Sequence, residues 1–108
     1  YPDLRTYIVT IMDLEEILAE KVRALIWRTE GRDLYDLWFL LRKGVKLDMN
    51  LINKKLSSYN LKFDLEEFLG KIEELKNKWE IELKALVNIL PSFETVKKDV
   101  VEAFKAIQ

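Results

Sequence analysis

The 108-residue chain contains no cysteine and no histidine. Disulfides, thiolate nucleophiles, haem ligation, the usual zinc sites and histidine acid–base catalysis are therefore excluded within it. With only three glycines it has no Gly-rich phosphate loop, and no Walker motif, nucleophile elbow or EF-hand spacing occurs. Any chemistry must draw on carboxylates, Lys, Arg, Tyr, Ser or Thr. No run of about 18 apolar residues is present, so the default expectation is a soluble cytoplasmic protein with no membrane partner. Neither sign of charge dominates: 18 basic and 19 acidic residues leave a net charge of −1, which argues against a strong overall field for nucleic acid.

What is present is apolar and helical in pattern. At 49% apolar, a chain of this length can bury the core of one domain without staples. Asp13 with Glu16 reads as a capping box opening a helix over 14–28, carried by Leu14, Ile17, Leu18, Leu25 and Ile26. Gly31 interrupts it, and a second helix runs from about Arg32 to Arg42 before Gly44 stops it. So short a connection makes these two helices neighbours. Asp48 caps a third helix ending near Tyr59-Asn60. Asp64, with Glu67 in the box position, caps a fourth. A break around Asn77-Lys78-Trp79 precedes a short helix from about Glu80 to Val87. Pro91 ends that segment, and Ser92 caps a final helix bearing Val96, Val100, Ala103, Phe104 and Ile107.

The fold class expected is mainly α, a bundle of about five helices. At its front, Arg5-Thr6-Tyr7-Ile8-Val9-Thr10-Ile11 is rich in β-branched and aromatic residues and reads as a short strand. A lone strand needs a partner. The expectation is that residues 1–12 are a strand or linker whose sheet belongs to a missing N-terminal region, and that 1–108 form a single helical domain. The three tryptophans and five phenylalanines fall at helical spacing and are expected in the core.

Two segments break the oily pattern. At roughly 100° per residue, Lys21 and Arg28 lie about 20° apart, inside the apolar arc of the first helix. On the second helix Asp33 falls between Leu37 and Leu40, with Asp36 at the stripe's edge. An unpaired buried ion costs several kcal/mol, so these groups must meet one another or a ligand. By the same counting Arg23 is expected to face water, and Glu20 to pair with a nearby cation. Residues 21–46 carry seven basic against three acidic residues, a bias that suits an anionic ligand; Arg42, Lys43 and Lys46 read as solvated surface.

These residues make a pattern: Ala19-Glu20-Lys21-x-x-Ala24-x-x-x-Arg28, then Arg32-Asp33-Leu34-x-Asp36-Leu37 leading into an apolar helix. It resembles the C-terminal half of the AbiEii/AbiGii toxin family of nucleotidyltransferases, within the wider polymerase-β-like group. The likeness covers about residues 14–41, more loosely 79–104. It implies an enzyme of a type IV toxin–antitoxin context that moves a nucleotidyl group from a nucleoside triphosphate to an RNA, tRNA included, or protein acceptor, using Mg2+, with a cognate antitoxin as partner. Carried over residue by residue, Lys21 would contact the triphosphate or orient the site and Asp33 would be the aspartate set against it. Asp36 and Glu20 would support, and Arg28 and Arg32 would be phosphate-directed cations. The family's metal-binding carboxylate pair after a Gly-Ser turn has no counterpart here, so no metal ligand is assigned in this chain, and alone it is expected to be inactive. The competing readings are a structural ion-pair network joining two helices, and a non-catalytic helical module that binds protein or RNA.

Overall fold

The computed structural model describes the backbone of residues 11–84 and 90–107, and side chains from Leu14 onward within those ranges. Six helices occur among the described residues: α1 (Ile11–Trp27), α2 (Gly31–Arg42), α3 (Met49–Ser57), α4 (Leu65–Glu73), α5 (Trp79–Leu83) and α6 (Phe93–Ala106). The short segment expected after Trp79 is a helix of its own, which brings the count above five. No described helix is long and apolar enough to cross a membrane.

Caps set several of the boundaries. Asp48 accepts from the backbone N–H groups of Asn50 (3.0 Å) and Leu51 (3.3 Å) to start α3. Asp64 accepts from Glu67 N–H at 3.3 Å to start α4, and Ser92 from Thr95 N–H at 3.2 Å to start α6. Each satisfies one or two of the N–H groups that a helix start leaves without an intrahelical partner. At the other end of α2, Gly44 adopts φ +86°, and the bonds Gly44 N–H to Leu41 C=O and Val45 N–H to Leu40 C=O, both 3.1 Å, close the helix as a Schellman motif.

Several expectations are corrected. Asp13 does not cap α1, which is already helical at Ile11; no Gly or Pro interrupts the helix between them. The strand expected over 5–11 lies outside the described residues except for Ile11, which is helical. No strand occurs among the described residues, so the missing sheet gains no support. Trp79 begins α5, one residue earlier than expected; the stretch toward Val87 lies outside the described residues from Ala85 on. Trp27 is not core: it is 61% exposed, at the last residue of α1, with one ring contact to Tyr59 at 5.7 Å.

One hydrophobic cluster holds the helices together. Leu18, Val22 and Leu25 of α1 meet Leu34, Leu37 and Leu40 of α2 and Ile52 and Leu56 of α3. α1 is the central element, packing on α2, α3 and α4, while α6 packs on α2 and α4, and α5 on α2. Phe63, Phe68 and Phe104 cluster at the α4–α6 end, Phe63 stacked on Phe104 and Phe68 tilted against it with ring centroids 4.7 Å apart. Trp79 is buried, and its indole N–H donates to Pro91 C=O at 2.9 Å, pinning α5 to the entry of α6.

Candidate functional site

The α1–α2 joint brings the unusual charges together. Leu25 and Ile26 anchor the end of α1 in the core, and Thr29 follows with φ +50°, a conformation rare for a β-branched residue. Its hydroxyl donates to Leu25 C=O at 2.9 Å, capping α1 with a side chain. The chain thereby turns sharply enough for Asp33, two residues into α2, to reach back to α1.

Asp33 is the only charged side chain among the described residues that is fully buried. Arg28 grips it with two hydrogen bonds, Nε to Oδ2 at 3.0 Å and Nη2 to Oδ1 at 3.2 Å. Lys21 Nζ lies 3.6 Å from Asp33 Oδ1 and 2.7 Å from Asp36 Oδ2. One ammonium is thus shared by two carboxylates of α2, one turn apart on the same face. Lys21 keeps a quarter of its side chain exposed, and Arg28 about half. Glu30 adds a third carboxylate at the rim, 3.6 Å from Arg28 and 3.8 Å from the half-exposed Arg32.

The structure therefore unites Lys21, Arg28, Asp33 and Asp36, with Arg32 alongside through Glu30. Glu20 stands elsewhere. It pairs with Arg23 and, at 3.7 Å, with Lys55 of α3, on a different flank of α1. Arg23 is mostly buried rather than facing water, its guanidinium 4.6 Å above the Tyr59 ring; α3 covers a flank that counting along one helix leaves open. Arg28 lies just past the last turn of α1 and is far more exposed than its place in the apolar arc implies. Sequence reasoning missed Glu30 as part of the cluster, although its position between Arg28 and Arg32 was a signal. It also missed Glu82, for which a separation of 51 residues from its partner leaves no local sign.

The electrostatics follow from this layout. The hydrogen bond to Asp33, then the Asp33 charge and more weakly that of Glu30, raise the Arg28 pKa above its usual value. Burial pushes the Asp36 carboxyl up to about 7. Among the described residues three cations face three carboxylates, and a proton on Asp36 adds one unit of positive charge to the cluster. Among the described residues no group of three or more acidic side chains could hold a metal ion. Asp33 and Asp36 are turned to cations, so the cluster does not fit the divalent metal that the resemblance implies.

Fold and site together define a small helical domain whose distinctive feature is a buried carboxylate clamped by an ammonium and a guanidinium between two successive helices. The chain belongs to the nucleotidyl transferase AbiEii toxin family of type IV toxin–antitoxin systems, whose family model matches residues 2–106. That match extends well beyond the 14–41 stretch carrying the motif. No curated protein and no solved structure matches the chain significantly.

Proposed function

We propose that this chain is the helical part of a nucleotidyltransferase and that Lys21 presents its ammonium to the phosphates of a nucleoside triphosphate. The observation that carries this reading is the state of Lys21: fixed by two carboxylates, yet a quarter exposed. An ammonium fixed in place and open on one side is what a phosphate-directed lysine requires. In the reaction an acceptor oxygen forms a bond to the α-phosphorus, and the bond from that phosphorus to the bridging oxygen of the β-phosphate breaks. Pyrophosphate leaves with the electron pair. Negative charge grows on the phosphate oxygens, and a preorganised cation lowers that barrier.

Asp33 holds Lys21 and Arg28 at their separation. Asp36 orients the ammonium directly, and its proton raises the positive charge of the cluster. Arg28 and Arg32, both about half exposed, extend the cationic surface for phosphate, with guanidinium groups suited to paired hydrogen bonds. Glu20 has no part in this reading. Residues 1–108 act as one helical domain, and the carboxylates that bind divalent metal belong to a region preceding it in a longer enzyme, so the isolated domain is inactive. The acceptor is an RNA or a protein, and the cognate antitoxin acts on the whole enzyme.

The test is transfer from labelled nucleoside triphosphates by the full-length enzyme. Lys21→Gln and Asp33→Asn should each reduce transfer by about a hundredfold or more, with circular dichroism and chromatographic behaviour unchanged for Lys21→Gln. Retention of transfer by both variants would make the cluster a structural joint. The interaction-module reading would then be pursued, with strong salt dependence of binding pointing to RNA and an apolar, salt-insensitive contact to protein.

A further inference from the structure

The N-terminus of α2 carries Asp33, yet it lacks the device that starts α3, α4 and α6. Its N-cap residue, Glu30, makes no side-chain capping bond. The acceptor comes instead from another helix: Glu82 of α5 accepts from the Gly31 N–H through Oε2 at 3.0 Å. Its other oxygen, Oε1, lies 3.7 Å from Lys78 Nζ, one turn back on the same side. Gly31 leaves room for the approach. A Cβ at that position would meet Glu82 Oε2 at 3.2 Å and the Trp79 ring at 3.7 Å. Trp79 in turn is buried and bonded to Pro91 C=O, so the element that carries Glu82 is itself anchored to the entry of α6.

We infer that Glu82 is a positioning residue of the Lys21/Asp33 cluster: its carboxylate caps α2 from α5 and thereby sets where Asp33 meets Arg28 and Lys21. A helix start with an unsatisfied N–H frays, and the fraying is confined to the first turn. Asp33 lies in that first turn, two residues beyond Gly31. Its bonds to Arg28 at 3.0 and 3.2 Å tolerate little displacement before they weaken. The effect thus passes from Glu82 through the Gly31 amide to the Asp33 carboxylate and on to both cations. A core contact of α5 alone would not need a carboxylate, since Trp79 and Leu83 already supply the apolar packing.

The inference rests on the proposed function only for its activity readout; the geometry can be tested apart from it. In the full-length protein, the Arg28 Nε–H resonance reports the Asp33 bond directly by nuclear magnetic resonance. Glu82→Ala should move that resonance toward the position of a solvent-exposed arginine, speed hydrogen exchange at the Gly31 amide and reduce nucleotidyl transfer about tenfold. Glu82→Gln keeps a carbonyl acceptor and should restore all three to near the wild-type values. Gly31→Ala, which crowds the same contact, should shift the Arg28 resonance in the same direction and covers the case in which Glu82→Ala fails to fold. Glu80→Ala, on the exposed side of α5, serves as the unchanged control. An unmoved Arg28 resonance and full transfer in Glu82→Ala, with only a lower melting temperature, would overturn the inference, as would Glu82→Gln behaving like Glu82→Ala. If Lys21→Gln keeps full transfer, the proposed function fails while the Arg28 resonance still decides this one.

Discussion

Asp33 is fully buried whereas the cations around it are half or a quarter exposed, and the consequences of removing each partner differ accordingly. Arg28→Ala strands a buried anion with one ammonium 3.6 Å away. Asp33→Asn leaves cations that can turn to water and retains the side-chain shape. We expect Arg28→Ala to cost about 2–4 kcal/mol, at the lower end for a broken buried pair because water can enter where the guanidinium lay, and Asp33→Asn only about 1–2 kcal/mol. Urea titration of both variants checks the order; a larger loss for Asp33→Asn would mean that the cations, not the carboxylate, carry the desolvation cost. Asp36 gives a pH prediction. Burial pushes its folded-state value to about 7, above the value of about 3.9 in an unfolded chain. Between these two values the folded protein holds the proton more tightly, so this group's contribution to stability is full below about pH 4 and is lost as the pH rises through about 7. Asp36→Asn should remove that slope, giving melting temperatures at pH 5 and pH 8 that lie closer together than in the wild type. An unaltered slope would show that Lys21, 2.7 Å away, keeps Asp36 ionised throughout.

At the scale of the helices, boundaries follow from single residues, and Gly44 is the clearest case. Its φ of +86° closes α2, and a Cβ there would meet nothing within 4 Å, so the cost of Gly44→Ala is backbone strain without a clash. We expect a loss of about 1 kcal/mol, read as a shift of the urea midpoint with unchanged slope; a neutral result would mean that the turn after α2 relaxes out of the left-handed region. Features of this kind were legible in the sequence because they are local. Asp48, Asp64 and Ser92 announce helix starts through short polar side chains that reach N–H groups two or three residues on, and the Lys21–Arg28 and Asp33–Asp36 periodicities announce a shared face. The start of α1 was not legible, since a capping pattern at Asp13 cannot signal that the helix already exists upstream. Nor were contacts set by a third helix: Tyr59 covers Arg23, and Glu82 completes the start of α2. These depend on how α3 and α5 dock, which the period of α1 or α2 alone does not contain.

At the scale of the whole molecule, the charged joint and the aromatic cluster occupy different parts of one cooperative unit. Phe104 sits among Phe63 and Phe68, where α6 closes on α4, whereas Lys21, Arg28, Asp33 and Asp36 meet at the α1–α2 joint. Burying that ring stabilises the fold that carries the joint without shaping the joint itself. Phe104→Ala should therefore cost about 3–5 kcal/mol, which for a chain of this length lowers the melting temperature by more than about 10 °C, and yet leave transfer by the full-length enzyme near the wild-type rate at temperatures where circular dichroism still reports the helices. Lys21→Gln should do the reverse, with transfer lost and the melting temperature nearly kept. The pair of variants separates the two contributions because distant, unshared sites add independently. If Phe104→Ala lost transfer while still fully helical, the α4–α6 packing would have to reach the joint through α2, which α6 also contacts, and Trp38, whose indole N–H donates to Asp99 of α6 at 2.9 Å, would be the link to cut next.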